Sequence, residues 1–121
     1  MINGIINVYK ERGFTSFDVV AKLRGILHER KIGHTGTLDP EATGVLPVCI
    51  GNATKVCELL TDKDKVYRTV MHLGITTDTQ DMTGTVKEDR SREAALLKEQ
   101  TVEAAILQFV GDYEQIPPMY S

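Results

Sequence analysis

Lys31-Ile32-Gly33-His34-Thr35-Gly36-Thr37-Leu38-Asp39-Pro40, running on as Glu41-Ala42-Thr43-Gly44-Val45-Leu46-Pro47-Val48-Cys49-Ile50, is the stretch that decides how this chain folds. Three glycines and two prolines exclude a regular helix. Gly33 and Gly36 permit positive φ and close approach of the backbone to a ligand, and Pro40 pushes Asp39 out of the α region. Only after Gly44 does the stretch turn apolar, so residues 45–50 read as a short buried strand. An irregular loop that leads straight into a core strand is a way to hold a carboxylate still. Taken alone, Asp-Pro is also a common turn dipeptide, and on that reading Asp39 caps a turn.

Working outward, the N-terminal side opens with an apolar run at residues 2–9, interrupted by Asn3, Gly4 and Asn7, that reads as a strand. Lys10-Glu11-Arg12-Gly13 turns the chain. Thr15 or Ser16 is a suitable N-cap, and Val19, Val20, Leu23, Ile26 and Leu27 recur at helical spacing, which predicts a helix over 17–29. On the C-terminal side, Gly51 and Asn52 stop the strand and 53–60 predicts a short helix with Val56, Leu59 and Leu60 inward. Residues 61–64 form a polar loop. Over 65–73 apolar and polar residues alternate with period two, predicting a strand that carries Tyr67. Residues 85–100 are charged and read as an exposed loop with a marginal helix after Ser91. Thr101 is the expected N-cap of a helix over 102–110, stopped by Gly111.

Composition bounds the function. With 121 residues, 41% hydrophobic and 26% charged, the chain is one ordinary domain with three Phe, four Tyr and no Trp. No signal peptide opens it, and no apolar run approaches the roughly 18 residues a membrane span needs, so a cytoplasmic protein without membrane contact is expected. Cys49 and Cys57 fit neither a zinc spacing nor a disulfide framework and read as reduced thiols. A net charge of −3 is not the usual footprint of a nucleic-acid binder. Its distribution is uneven, however: residues 1–35 carry six cations against three acids, leaving −6 for the remainder. A basic start leading into the Gly-rich loop suits a surface that tracks a phosphate backbone, or equally a solvated helix face.

Four stretches of sequence resemble one family. Gly33-His34-Thr35-Gly36-Thr37-Leu38-Asp39-Pro40 with Ala42-Thr43-Gly44-Val45-Leu46-Pro47-Val48 resembles the catalytic motif of the bacterial TruB-type tRNA pseudouridine synthases. Gly4-Ile5-Ile6-Asn7-Val8-Tyr9-Lys10 with Gly13-Phe14-Thr15-Ser16 resembles their opening motif, although Glu11 stands where the family has proline. Lys65-Val66-Tyr67-Arg68, Leu73-Gly74, Thr77-Asp78-Thr79-Gln80-Asp81 and Gly84 resemble a second block, and residues 111–121 resemble a third. The resemblance implies an α+β fold with a mixed, largely antiparallel sheet and helices packed on it. It makes residues 1–121 the N-terminal portion of a longer catalytic domain, and an isolated piece with open strand edges is expected to be inactive and to self-associate.

The function implied is isomerisation of uridine to pseudouridine in tRNA, at uridine 55 of the T-arm stem-loop, with no cofactor and no metal. Asp39 corresponds to the nucleophile and Tyr67 to the tyrosine that stacks on the target base. His34, Gly36, Thr37, Leu38, Lys10 and Lys31 fall on the substrate side, His34 filling the gap left by the flipped base. Asp81 corresponds to a supporting aspartate that pairs with a later arginine. Of other readings, a P-loop lacks its Gly-Lys-Ser/Thr ending and has the strand on the wrong side of the loop, and an EF-hand lacks its glycine and its twelfth-position glutamate. A non-catalytic RNA-binding piece and a relative of the guide-RNA-dependent synthases remain as alternatives.

Overall fold

The computed structural model describes residues 2–117, and the chain divides into two compact units, Met1–Val66 and Tyr67–Ser121. In the first, strands β1 (Gly4–Lys10), β2 (Ile32–His34) and β3 (Gly44–Ile50) form a sheet in the order β1-β3-β2, antiparallel at both pairings. Helix α1 (Ser16–Leu27) connects β1 to β2. Its start is fixed by a reciprocal cap. The Thr15 hydroxyl accepts the Asp18 N–H at 2.9 Å while the Asp18 carboxylate accepts the Thr15 N–H at 2.9 Å. The helix ends on His28 in the left-handed region, φ 51°.

Alternation along β3 sends Leu46, Val48 and Ile50 to one face, where they pack with Ile32 of β2 and with Val19 and Val20 of α1. Val8, Phe14, Leu23 and Leu27 close the edges of this cluster. Ile26, expected inward, is exposed. The α+β class of the sequence reading holds, and every strand pairing among the described residues is antiparallel.

Four expectations are corrected. Residues 53–60 do not make one helix: a 3₁₀ helix over Gly51–Val56 runs into α2 (Cys57–Thr61). A 3₁₀ turn holds three residues instead of 3.6, so the inward face drifts, and Leu59 is exposed while Val56 and Leu60 are half-buried. No strand forms over 65–73, where Val66 and Val70 are 98% and 93% exposed. A period of two prepares an extended backbone, but a strand also needs a neighbour to accept its hydrogen bonds, and no described segment pairs with this one.

In the second unit, β4 (Ile75–Thr77) pairs antiparallel with β5 (Val86–Asp89), and β5 lies inside the 85–100 stretch expected to be loop. All four β5 residues are exposed and three of them are charged, so the sequence pattern concealed the strand. Helices α3 (Ser91–Ala94) and α4 (Glu99–Leu107) follow, the latter starting after Lys98 instead of at Thr101. No described residue of this unit is buried. Pro118, Met119, Tyr120 and Ser121, which end the third sequence block, lie outside the described residues.

The core therefore belongs to the first unit. Leu46→Ala should lower the unfolding free energy by about 2–5 kcal/mol, through lost burial and an unfilled cavity. Val66→Ala should change it by no more than about 0.5 kcal/mol. Urea unfolding of both variants checks the pair, and equal losses would contradict the burial pattern.

Candidate functional site

The loop between β2 and β3 is held at several points, and the clamps fall on either side of Asp39. Upstream, Thr35 is buried and its N–H donates to the Pro47 carbonyl at 3.0 Å. Gly36 then turns the chain at φ 64°, and the His34 ring Nδ1 lies 2.5 Å from the Gly36 carbonyl. A carbonyl only accepts, so this bond puts the proton on Nδ1 and turns Nε2 into the free acceptor of the neutral ring.

Ser16 grips Leu38 directly. Its hydroxyl accepts the Leu38 N–H at 3.0 Å and donates to the Leu38 carbonyl at 3.3 Å. Because Thr15 takes the capping role at the start of α1, the hydroxyl of the next residue is left to tie the helix to the loop. One residue past Asp39, the Pro40 carbonyl accepts the Gly13 N–H at 2.8 Å and the Lys10 ammonium at 3.3 Å. Asp39 opens a turn in which its own carbonyl accepts the Ala42 N–H at 2.9 Å.

The Asp39 side chain takes no part in that turn. It is exposed, and no described residue hydrogen-bonds or ion-pairs with its carboxylate. The backbone makes the turn that the dipeptide predicts, and the carboxylate stays free. Thr37 is exposed beside it; Gly36 and Leu38 are half-buried.

Lys10 departs from its expected place on the RNA side. Its side chain is wholly buried, 0% exposed, and the ammonium donates to the carbonyls of Phe14 at 2.7 Å, Glu11 at 3.0 Å and Pro40 at 3.3 Å. Alternation puts Lys10 on the same face of β1 as Val8, so its stem crosses the core edge and its head fills the turn. A buried cation with three acceptors positions a loop; it does not present charge to solvent. Lys31 is exposed, as a contact to a phosphate requires. Of the other early cations, Lys22 and Arg24 lie over the Phe14 and Phe17 rings at 5.6 and 5.7 Å.

Tyr67 and Asp81 belong to the second unit. Tyr67 is 68% exposed on irregular backbone. Asp81 sits in the β4–β5 connection, where one carboxylate oxygen accepts the Thr83 hydroxyl at 2.5 Å, the Thr79 hydroxyl at 2.7 Å and the Thr83 N–H at 2.9 Å. These bonds, the Thr83 hydroxyl foremost, hold its carboxyl below the ordinary carboxylate value. Among the described residues no three His, Cys, Asp or Glu side chains converge to hold a metal ion, and no helix is long and apolar enough to cross a membrane.

Residues 24–121 match the family model of the TruB family pseudouridylate synthases, N-terminal domain. The chain belongs to the TruB family. It is 68% identical over 120 residues to the tRNA pseudouridine synthase B of Lachnoclostridium phytofermentans, and 53% identical over 121 residues to that of Bacillus pumilus. It covers 99% and 100% of itself in these matches but only 38% and 39% of those proteins' length. Among solved structures, a chain of the Cbf5-Nop10-Gar1 complex aligns with this TruB-family chain at a TM-score of 0.63 and 29% identity, over 98% of this chain and 30% of that one.

Sequence reading missed Ser16 as a clamp and misassigned Lys10. A signal for both was present, since two capping residues in succession leave one hydroxyl unassigned, and a lysine closing an apolar strand is oddly placed for a surface cation. Lys10→Met keeps the stem and removes the donor. It should cost at least about 2 kcal/mol of stability, from carbonyls left without a partner, and should speed hydrogen exchange at the Gly13 amide. Weakened RNA binding with an unchanged urea midpoint would return Lys10 to the surface role.

The Asp81 contacts carry a pH signature. A carboxyl depressed in the native state stabilises above its unfolded value, and that contribution is lost as pH falls through the lower native value. The Asp81 carboxyl carbon should thus titrate below the ordinary range by NMR, and Thr83→Val should move its midpoint upward; a normal midpoint in the parent chain would refute the bonding pattern.

Proposed function

We propose that this chain carries the nucleophile of a tRNA pseudouridine synthase, and that Asp39 is that nucleophile. The observation that carries the reading is the free, exposed carboxylate of Asp39 set between two clamped residues, Leu38 and Pro40. Making pseudouridine breaks the bond from uracil N1 to the ribose C1′, turns the base, and joins C5 to C1′. Nothing is oxidised or reduced. The protein must hold a detached base while a carboxylate acts on sugar or ring, and one positioned aspartate is the minimum equipment.

A uridine within a folded RNA loop has to be flipped out first, at a cost of a few kcal/mol. His34, half-buried and pinned through Nδ1 to the Gly36 carbonyl, is the side chain that fills the space the base vacates. Tyr67, exposed, offers a face for the everted uracil, and stacking of this kind is worth about 1–3 kcal/mol per base. Asp81 keeps one carboxylate oxygen outside its threonine contacts, so it retains an acceptor for the later arginine. The relatives' names support tRNA as the substrate, and uridine 55 of the T-arm is the proposed target on the motif resemblance alone. The matching family model describes an N-terminal domain, and residues 1–121 are read as the nucleophile-bearing part of the catalytic domain.

Tritium release from tRNA labelled at uracil C5 tests this in the full-length protein. Asp39→Ala should reduce the rate on the order of 10⁴-fold or more, and the 121-residue chain alone should release little. Tight trapping of 5-fluorouridine-containing tRNA should vanish with Asp39→Ala. Trapping that survives the substitution favours the non-catalytic RNA-binding reading, and turnover that needs an added guide RNA favours the guide-dependent relatives.

A further inference from the structure

We propose that Cys49 and Cys57 form an oxidisable dithiol, closing under peroxide into an intramolecular disulfide beneath the strand that carries His34. The first support is the sheet register. Gly33 stands directly opposite Cys49 in the β2–β3 ladder, so both positions project to the same face, the one turned away from the Leu46, Val48 and Ile50 cluster. Cross-strand partners of this kind have Cβ positions roughly 5 Å apart. The second support is the glycine. A Cβ built on Gly33 would lie 3.4 Å from the Cys57 sulfur, so the space a side chain at 33 would occupy is taken by that thiol. Cys57, first residue of α2, therefore lies over the position beside Cys49.

The two sulfurs differ in access. Cys49 is fully buried and Cys57 half-buried, and both are free thiols. Burial, with Cys57 adding to it, pushes the Cys49 thiol up to about 11, so Cys49 stays protonated at neutral pH. Cys57 is then the thiol that meets an oxidant.

The chemistry balances with a hydroperoxide as the two-electron oxidant. The Cys57 thiolate attacks one peroxide oxygen, the O–O bond breaks, and Cys57 becomes a sulfenic acid with release of hydroxide. The Cys49 sulfur then attacks the sulfenic sulfur, the S–O bond breaks, and the departing hydroxide takes the Cys49 proton as water. In sum, two thiols and one hydrogen peroxide give one disulfide and two waters. The ring closes around the 3₁₀ helix Gly51–Val56, and the sulfur that moves is the one lying against Gly33, next to His34.

The chain holds two cysteines in all, so counting thiols decides the matter. The purified chain is exposed to hydrogen peroxide, denatured, alkylated with N-ethylmaleimide and weighed intact. Expected is loss of both adducts at the mass of a monomer, with the doubly alkylated form falling by about tenfold or more and returning on dithiothreitol treatment. A peptide map should join residue 49 to residue 57. Retention of both adducts, a disulfide-linked dimer, or a Cys57 sulfinic acid with one adduct left on Cys49 would each overturn the proposal. Cys49→Ala adds a second arm: Cys57 should then be captured by dimedone as the sulfenic acid, with no disulfide formed. The wild-type thiol count stands whether or not that variant folds.

Discussion

The buried ammonium of Lys10 is the constraint on which the rest of the site depends. Its three carbonyl acceptors come from the turn after β1, from the residue before the α1 cap, and from Pro40 in the loop that follows β2. Glycine- and proline-rich loops have no ladder of their own to satisfy their carbonyls, and a carbonyl buried without a donor costs about 1–3 kcal/mol. A lysine answers this where a neutral side chain cannot, since one head group donates three bonds in different directions. Two elements far apart in sequence are thereby fastened at one point, and the fastening sits one residue from Asp39.

Ser16 completes the arrangement from the other side. Thr15 and Ser16 look interchangeable as caps, yet the helix uses the first for its own amide and the second for Leu38. Asp39 is left as the one acid in the loop whose backbone is fixed and whose side chain is not. That combination is what the proposed nucleophile role requires. An aspartate that merely ends a loop folds its carboxylate back onto a nearby amide, as Asp89 does with the Ser91 N–H at 2.9 Å and as Asp81 does with Thr83.

How much of this was legible beforehand follows from which forces each element relies on. The strand at Gly44–Ile50 and the helix at Ser16–Leu27 were readable because apolar periodicity and capping report burial, and these elements are buried. The 65–73 strand was overread for the same reason inverted: alternation describes a face, and Val66 and Val70 here have nothing to lie against. The β4–β5 pair was missed because β4 is only three residues long and every β5 residue is exposed, three of the four being charged, which leaves little apolar trace. Within the loop, local glycine and proline chemistry made the irregular backbone and the Asp39 turn legible, while the roles of Asp39 and His34 came only from the motif resemblance. The clamps on Leu38 and Pro40 were not, since they join positions 22 and 30 residues apart.

The division of labour between the two faces of the first sheet follows from one residue type. On the face covered by α1, branched apolar side chains interlock, and the strand β2 contributes Ile32 to them. On the opposite face β2 contributes Gly33, and the space above it is filled by a thiol from α2 in place of a side chain of its own. A sulfur is larger and softer than a methyl group and packs well in such a gap. Unlike a methyl group, it has chemistry available to it. The short strand that leads into the Asp39 loop is thus wedged between a hydrocarbon core, which fixes it, and a free thiol from α2, which can be oxidised.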